Sequence, residues 1–394
     1  MFSSLQVQIP AVVIGGPPHS GKSVLAYALS QALRERDVLH YLLRAYPPDG
    51  EGDWYQQTAD RALAQALRCK GSRSEAWLAL LLRDLYHRQV PFIVDVGGRP
   101  TAEQEALFDL CTHAIVLAPE EKAQRQWRQR FLSRNLFLMA DLRSELAGED
   151  RITRESPVLT GTVVGLERGT VPHGPVVQAL TVRLEQLFLP ALTLRRRHLE
   201  GAPVDLAVDL MRLAQRLEVN ARAWHPSALP EVLRYLPQGE SLALYGRGPN
   251  WLYAAIAIHA HPTPFYLFDV RHGWLPAPSG VRGESEEELR WHRVVGGEAE
   301  RWCFALEEAY LAHPRSYGLP PLPQGRGVIV DGKLPLWFVA MTARYAAARA
   351  PWVAVYQPQL GGDVVVFSTD ARHVVGEVIS RASAPCPASG SRDR

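Results

Sequence analysis

The chain has 394 residues, more than one typical domain needs, so two or three domains are expected. Its net charge of +2 excludes a globally basic surface for long polyanions, so any affinity for nucleotides must come from local sites. Hydrophobic residues make up 47% of the chain, enough for buried cores. Since no uncharged apolar run reaches 18 residues, we expect no membrane partner.

The four cysteines lack the spacing of disulfide frameworks or metal sites. They predict reduced, mostly structural thiols and therefore a cytoplasmic location.

The first motif is a glycine-rich loop between a predicted strand and a predicted helix. Ala11–Ile14 is a short apolar run typical of buried parallel strands. It is followed by Gly16-Pro17-Pro18-His19-Ser20-Gly21-Lys22-Ser23, which matches G-x-x-x-x-G-K-S, and then by residues with helical periodicity. A strand, a glycine loop and a helix in this order are the context that a phosphate-binding P-loop requires.

In such a loop the glycines Gly16 and Gly21, together with Ser20, let backbone N–H groups face a phosphate chain at a helix N-terminus. Lys22 is predicted to reach the outer phosphates, and Ser23 to hold a magnesium ion. The expected cofactor is therefore ATP with Mg²⁺. The alternative is a purely structural turn.

A second apolar run, Phe92–Val96, contains Asp95. An acid on this kind of strand holds the magnesium ion or takes a proton in P-loop proteins, and the alternative is a capping aspartate. Thr101 and Gln104 predict a capping box. Downstream, Arg125, Arg128 and Arg130 indicate either a lid over phosphates or a solvated helix face.

Alternating strands and helices predict an α/β fold with a doubly wound parallel sheet over residues 1–199. Its last strand is predicted near residues 161–165 and its last helix near 176–187. The stretch 190–203 is predicted to be a linker. This part resembles the P-loop kinase and AAA-type nucleotide-binding superfamily, which does not fix a substrate.

One pattern occurs twice in the C-terminal half. The copies read Gly246-Arg247-Gly248-Pro249-Asn250-Trp251 and Gly332-Lys333-Leu334-Pro335-Leu336-Trp337. Each follows an apolar run, opens an alanine-rich helix and leads to a second strand. We therefore predict two small α/β modules, residues 200–295 and 296–382, followed by a disordered tail, 383–394.

In each copy a proline is pre-shaped for helix entry, and the free N–H groups beside a basic side chain form an anion pocket. Arg247 and Lys333 are the predicted phosphate contacts, and a plain turn with a solvated cation is the alternative. The two tryptophans are predicted to be core anchors rather than base-stacking platforms. The remaining residues of the predicted pockets are Gly246, Gly248, Asn250 and Gly332.

These segments resemble tandem copies of the Csx-three CRISPR ring nuclease family. Its members share glycine-arginine-x-proline-x-tryptophan, a helix, and an apolar strand that runs into tyrosine-aspartate-proline-arginine-leucine-glycine and a valine-rich strand. The second copy matches this frame in Trp352–Gly362 and Val364–Val366. However, it has Gln357 and Gln359 in place of the aspartate and arginine, and no histidine before the strand.

The first copy has the poorer frame but retains ionisable residues: His261, with His259 nearby, Asp269 and Arg271. The valine-rich strand is missing from it, and Trp274–Ala277 stands there instead.

The resemblance implies modules whose dimers sandwich a cyclic oligoadenylate messenger, with cyclic tetra-adenylate favoured, and cut it. Family members have been linked with manganese, and some carry a fused P-loop domain. The first copy would be catalytic and the second silent. The two copies are expected to form a pseudo-dimer, and two chains to face one another across the ring. The predicted partners are therefore the messenger, ATP and further copies of the chain, without a long nucleic acid.

Ring cleavage needs no water when a ribose 2′-hydroxyl attacks the adjacent phosphate. His261 would be the general base or acid, because histidine titrates near neutral pH, with His259 as the reserve candidate. Arg271 would stabilise the phosphate. Asp269 would orient Arg271 or His261, or bind a divalent ion.

Three functions stay open. The first is a ring nuclease that switches off type III antiviral signalling, with a P-loop domain for dimerisation or regulation. The second is a messenger sensor that controls an ATPase or a nucleotide or RNA kinase activity. The third is a nucleotide kinase with a structural appendix.

Overall fold

The computed structural model describes residues 9–45, 75–167, 169–188, 192–306, 311 and 314–380. These residues divide into two compact units. Unit 1 contains those up to Arg197 together with Val270–His272, and unit 2 contains His198–Asp269 and those from Gly273 onward. Each unit consists of helices on sheets rich in parallel strands, so the predicted α/β class is confirmed. The predicted tail, 383–394, lies outside the described residues.

Unit 1 is built on a seven-stranded sheet with the order β2-β3-β1-β4-β5-β7-β6, in which only β6 is antiparallel to its neighbour. The strands are β1 (Ala11–Gly15), β2 (Tyr41–Ala45), β3 (Phe92–Val96), β4 (His113–Ala118), β5 (Phe137–Glu145), β6 (Arg151–Arg154) and β7 (Leu159–Val164). The helices are α1 (Lys22–Glu35), α2 (Glu75–His87), α3 (Ala106–Asp109), α4 (Glu121–Leu132) and α5 (Pro175–Phe188).

Helices cover both faces of this sheet, as the strand alternation predicts. Val12 and Ile14 of β1 belong to a core shared with α1 and α5. On the other face Gly15 lies against α4, and a Cβ there would stand 2.6 Å from the Trp127 ring. The fully buried β1 therefore forms the centre of a layered sheet.

Two local predictions can be compared with the fold. The capping box is confirmed, because the Thr101 N–H donates to Gln104 Oε1 at 3.1 Å and the Gln104 N–H donates to Thr101 Oγ1 at 3.4 Å. The predicted linker, 190–203, contains helix α6 (Leu192–Glu200), and the boundary between the two units falls within this helix, after Arg197. Leucine and arginine have high helix propensity, which explains why this connection is helical.

Unit 2 contains a four-stranded sheet, β11-β10-β9-β8, and a six-stranded sheet, β13-β14-β16-β17-β18-β19, together with the short pair β12-β15. Its strands are β8 (Ala207–Asp209), β9 (Leu242–Tyr245), β10 (Phe265–Asp269), β11 (Gly273–Pro276), β12 (Val281–Arg282), β13 (Leu289–Gly296), β14 (Ala299–Leu306), β15 (Gly318–Leu319), β16 (Gly327–Asp331), β17 (Trp352–Gln357), β18 (Gly362–Ser368) and β19 (Val378–Ser380). Its helices are α7 (Leu210–Arg216), α8 (Leu229–Tyr235), α9 (Asn250–Ala260) and α10 (Leu336–Ala347).

The two sheets repeat one strand path. In the first, β8, β9 and β10 are parallel and β10 turns back into antiparallel β11. In the second, β14, β16 and β17 are parallel and β17 turns back into antiparallel β18. A helix, α9 or α10, connects the second and third strands each time. The expectation that the first copy lacks the last strand is wrong, because Gly273–Pro276 forms it without valines.

A single hydrophobic core joins the two repeats. It contains residues of α9 and α10 and of both sheets, and α9 also contacts β17 and β18. Trp251 and Trp337 are 1% and 2% exposed within it, so both are core anchors, as predicted. Burial of such large rings dominates the energetics of a core.

Cys111 is a buried free thiol. Cys303 is disulfide-bonded, so the prediction of reduced thiols is wrong for this residue. Spacing along the chain does not show which sulfur atoms meet in the fold. Among the described residues, no helix has the length and apolar character needed to cross a membrane.

Replacing Trp251 tests the joint core. Trp251→Ala is expected to lower the free energy of unfolding of unit 2 by about 3–5 kcal/mol, because it leaves a cavity between α9 and its neighbours. Urea unfolding followed by circular dichroism measures the change. The matched control is Val374→Ala at a site that is 63% exposed, where a change below about 0.5 kcal/mol is expected. Equal effects of the two substitutions would contradict the buried position of Trp251.

Candidate functional site

The first candidate site is the loop 16–21 between β1 and α1. Gly21 has a φ of 84°, in the left-handed region that favours glycine, and a Cβ there would stand 2.5 Å from the side chain of Leu166. A Cβ at Gly16 would overlap the carbonyl oxygen of Leu117. Both positions therefore require glycine, and the loop can bring its backbone close to a ligand.

Lys22 lies at the start of α1 and its ammonium group is enclosed by the loop. Nζ donates to the Pro17 carbonyl at 2.7 Å and to Ser20 Oγ at 3.4 Å. Burial lowers the pKa of Lys22 to about 8, although the nearby Asp95 carboxylate acts in the opposite direction. An oxyanion placed in the loop would stabilise the charged form of this side chain.

The structure brings Asp95 next to this loop. Strands β1 and β3 are parallel neighbours, with Ile14 opposite Asp95, so the carboxylate lies at the edge where the loop begins. Burial raises the pKa of Asp95, while a hydrogen bond with Ser23 and the charges of Arg44 and Lys22 act to lower it. The predicted cofactor residues Gly16, Ser20, Gly21, Lys22, Ser23 and Asp95 thus share one corner of unit 1.

The donor set at this corner fits a magnesium ion. Mg²⁺ prefers oxygen ligands, usually one or two protein oxygens plus substrate phosphates and water. The Ser23 hydroxyl and the Asp95 carboxylate are such oxygens, and their side chains are already joined by a hydrogen bond. These two residues are therefore the ones that would hold the ion of a bound nucleotide.

Sequence reasoning did not single out Arg44. It ends the apolar run of β2 opposite Asp95, and its Nη1 lies 3.9 Å from Asp95 Oδ2. The sequence pattern that could have identified Arg44 is a basic residue at the carboxyl end of a buried strand. Its guanidinium adds positive charge beside the loop, which favours an anionic ligand.

The arginines of α4, by contrast, pair with carboxylates inside unit 1. Arg128 forms an ion pair with Asp141, and Arg130 Nε lies 3.1 Å from Glu105 Oε1. Arg125 lies 3.8 Å from Glu121 one turn away on the exposed face. These contacts favour the salt-bridged helix face over the phosphate lid.

The second candidate site consists of the turns that follow β9 and β16. Gly246 and Gly332 occupy the same place in the two turns and have φ of 114° and 149°. Arg247 and Lys333 follow with exposed side chains. Pro249 and Pro335 cap α9 and α10, so each turn presents a basic residue at a helix N-terminus, where anions bind.

Two contacts show that these turns share one face of unit 2. Asn250, which begins α9, donates from Nδ2 to the Tyr356 carbonyl near the end of β17 at 3.5 Å. At the other end Arg344, in the last turn of α10, donates to the Thr263 carbonyl at 2.9 Å. The two helices therefore run in the same sense, and their N-termini are on the same side.

Asp269 lies on this shared face. It ends β10, beside the end of β9. Burial raises the pKa of Tyr253, and the negative charge of Asp269 raises it further, which shows that the carboxylate is close to this ring. Tyr253 Oη in turn donates to the Gly246 carbonyl at 2.6 Å. Asp269 is therefore placed next to the predicted anion-binding turn.

His261 is on the opposite face. It is the exposed residue that follows α9, before β10 begins, whereas Asp269 ends β10. At about 3.3 Å per residue, the strand separates the two residues by roughly 13 Å or more. The reserve candidate, His259, is also near this end, with Nε2 3.0 Å from the Leu236 carbonyl oxygen.

Arg271 belongs to unit 1 by its contacts. Its Nη1 lies 3.4 Å from Asp84 Oδ2, and Asp84 is also paired with Arg83 at 3.0 Å. Of the predicted catalytic residues, His261 and Asp269 are therefore separated by the length of β10. Chain proximity indicated that they would be neighbours, but the extended strand between them holds them apart.

In the second copy, Gln357 donates a hydrogen bond to Gln359, so two neutral amides occupy the place of an aspartate and an arginine. Among the described residues, no group of three or more His, Cys, Asp or Glu side chains is arranged to hold a metal ion.

Residues 311–380 match the family model described as CRISPR-associated protein (Cas_csx3). The match covers less than one fifth of the 394 residues and falls on the second copy. The predicted Csx-three resemblance is confirmed for this segment, which associates the chain with CRISPR systems. Comparison with curated proteins and with solved structures gave no significant match.

The buried Lys22 predicts a pH-dependent nucleotide affinity. Below pH 8 the Lys22 ammonium is charged in the unliganded loop, and above pH 8 the neutral amine is favoured there. Bound phosphates would favour the charged ammonium instead. Binding should therefore take up a proton, and affinity should fall as pH rises from 8 to about 10, by up to about tenfold per unit.

Calorimetry with a non-hydrolysable ATP analogue and Mg²⁺, in buffers of different ionisation enthalpy, measures this uptake. Lys22→Met is the control, in which the pH-dependent component should disappear. An affinity that is constant between pH 7.5 and 9.5 would contradict the role of Lys22.

Proposed function

We propose that the chain is a CRISPR-associated ring nuclease that binds cyclic oligoadenylate, with cyclic tetra-adenylate as the favoured ring. By cleaving this messenger it would switch off type III antiviral signalling. One observation carries the proposal: two turns of the same design, each with a basic residue at a helix N-terminus, lie on one face of unit 2. The Csx-three match to the second copy supports it.

A cyclic oligoadenylate suits such a face. The ligand repeats one phosphate-linked nucleoside around a ring, so its opposite halves are chemically alike. The two halves of the face are alike as well, with Arg247 in one turn and Lys333 in the other. Each half of the ring would place a phosphate against one helix N-terminus and its basic side chain.

The chemistry requires no water. A ribose 2′-oxygen forms a bond to the adjacent phosphorus, and the bond from phosphorus to the 5′-oxygen breaks. A base takes the 2′-hydroxyl proton, and an acid returns a proton to the 5′-oxygen. Two such cuts in the tetra-adenylate ring give two linear di-adenylates that end in a cyclic phosphate. Asp269 is an acidic group of the first copy on the face that carries Arg247 and Lys333, where it would orient the reacting ribose or the histidine.

The position of His261 implies a second chain. Because His261 and Asp269 are at opposite ends of β10, one chain does not bring them to the same phosphate. We propose that the His261 face of one chain packs on the binding face of another, which agrees with the expected homodimer or higher oligomer. Histidine suits the proton transfer because its pKa is near neutrality.

Complementation between inactive variants tests this arrangement. His261→Ala and Asp269→Asn are each expected to lower cleavage of radiolabelled cyclic tetra-adenylate by at least about 100-fold while binding is retained. A mixture of the two variants should regain a substantial part of the activity, since mixed assemblies contain intact composite sites. The matched control is His225→Ala, at a histidine that only caps a short turn.

If each variant alone is inactive and the mixture is inactive as well, the composite site is wrong. If the native protein leaves the ring intact, with or without manganese and ATP, the nuclease function is wrong.

Unit 1 would bind ATP with Mg²⁺ through the loop 16–21, Lys22, Ser23 and Asp95. This supports a second candidate function, a messenger sensor that controls an ATPase or a nucleotide or RNA kinase activity. The observation in its favour is that one chain keeps His261 and Asp269 at opposite ends of β10, while it brings Lys22, Ser23 and Asp95 together beside the loop 16–21.

ATP turnover separates the two candidates. A nuclease with a regulatory nucleotide domain should cleave the ring without ATP. A sensor should bind the ring uncut and raise the rate of ADP release severalfold, and this stimulation should vanish in Lys22→Met. ADP release that does not respond to the messenger would contradict the sensor function.

A further inference from the structure

A buried ionic network connects three strands of the second copy. Arg301 of β14 donates from Nη1 to Asp331 Oδ2 at 3.0 Å and to Asp363 Oδ1 at 3.0 Å. A third hydrogen bond, from Nη2 to Asp363 Oδ2, measures 2.6 Å. The aspartates are 5% and 2% exposed. The guanidinium also lies 5.8 Å from the centre of the Tyr356 ring.

The network sits beneath both turns of the second copy. Asp331 is the last residue of β16, directly before Gly332 and Lys333. Asp363 is opposite Tyr356 in the β17–β18 pair, where the turn with Gln357 and Gln359 begins and ends. Since the sheet order is β14-β16-β17-β18, the Arg301 side chain reaches across the two central strands. One guanidinium thus bonds to residues next to both turns.

The first copy shows that the frame does not require these charges. Asp269 is opposite Gly273, just as Gln357 is opposite Gly362, so Trp274 corresponds to Asp363. By the same registers, Phe268 corresponds to Tyr356, Tyr245 to Asp331 and Ala207 to Arg301.

Aromatic side chains replace the ionic network in the first copy. The rings of Tyr245 and Phe268 are 4.8 Å apart, and those of Phe268 and Trp274 are 5.4 Å apart. The same strand path therefore forms with an apolar filling at these positions.

A buried ionic network costs more free energy than apolar side chains at the same positions, because each charge must leave water. Burial acts to lower the pKa of Arg301, but the hydrogen bonds and charges of Asp363 and Asp331 outweigh it and raise the pKa. The planar guanidinium also fixes the distance between the carboxylates that it bonds. Apolar contacts allow more variation in the distance between their partners. The network is therefore suited to defining geometry.

We propose that Arg301 is a positioning residue for messenger binding, whose bonds to Asp331 and Asp363 hold the turns 332–335 and 357–362 at a fixed spacing. The second copy would then be a dedicated binding half-site. It has exchanged the ionisable pair for glutamines and has gained a rigid ionic support. This role rests on the proposed binding of cyclic oligoadenylate to this face.

The decisive variant replaces the whole network by apolar residues, Arg301→Met with Asp331→Leu and Asp363→Leu. Such replacements are often neutral or stabilising for folding, so loss of binding would not reflect unfolding. We expect the dissociation constant for cyclic tetra-adenylate to rise at least about tenfold. The single-turnover cleavage rate at saturating messenger should stay within about twofold, because the first copy carries the chemistry.

Two further variants support the test. Arg301→Lys keeps the charge but loses the fork, and it should weaken binding by a smaller factor. Arg293→Met removes an arginine that pairs with Glu300 at 3.2 Å, close to the amino end of β14, and it should leave binding unchanged. Hydrogen exchange reports the turns directly, and amides in 332–335 and 357–362 should exchange faster in the apolar variant.

The outcomes are distinguishable. If the apolar variant binds the messenger within about twofold of the native protein, the positioning role is overturned while the proposed function stands. If the native protein does not bind cyclic tetra-adenylate, the proposed function is overturned, and this role with it. If the apolar variant fails to fold, equal binding by Arg301→Lys and native protein overturns the role.

Discussion

The packing of α9 against α10 in a common core is the constraint on which unit 2 depends. Trp251, Trp337 and their neighbours are apolar on the faces that meet, and each helix alone would leave this surface in water. Because the helices run in the same sense, their N-termini emerge together. The face that carries Arg247 and Lys333 is thus a consequence of burying two alanine-rich helices against each other.

Within this shared strand path the two halves of unit 2 differ in their side chains. The first has Asp269 at the turn, and the rings of Tyr245, Phe268 and Trp274 pack together on its sheet. The second has neutral amides at the turn and an ionic network beneath it. A parallel pair of strands places its carboxyl ends at one edge whatever the side chains are, so backbone topology can be kept while the chemistry changes. The proposed division into a reacting copy and a binding copy would make use of this separation.

The same principle holds in unit 1 around the loop 16–21. Asp95 and Lys22 are buried at the edge of the sheet, and each shifts the pKa of the other against the effect of burial. An acid and an amine that are buried together beside helix N–H groups suit a ligand that brings phosphates and a divalent cation. Arg44, on the strand next to β3, adds positive charge beside the loop. Only the sheet order brings this residue close to the loop.

The sequence by itself determined the elements with strong periodicity or with an obligatory glycine. The strands around residues 11–14, 92–96 and 114–118, the capping box at Thr101 and the two turns at Gly246 and Gly332 could be predicted, because local sterics and hydrogen bonding fix them. The strands β2, β5 and β6 were not foreseen. Their apolar patterns are short, and pairing with neighbours decides their state.

Only the tertiary structure decided which side chains meet. Residues eight positions apart, His261 and Asp269, looked like partners in the sequence, but an extended strand carries them to opposite faces. Arg301, Asp331 and Asp363 are far apart in the chain, yet strand pairing brings them within hydrogen-bond distance. Local pattern reports the conformation of a segment, whereas contact between segments depends on strand order and register, which a single sequence does not encode locally.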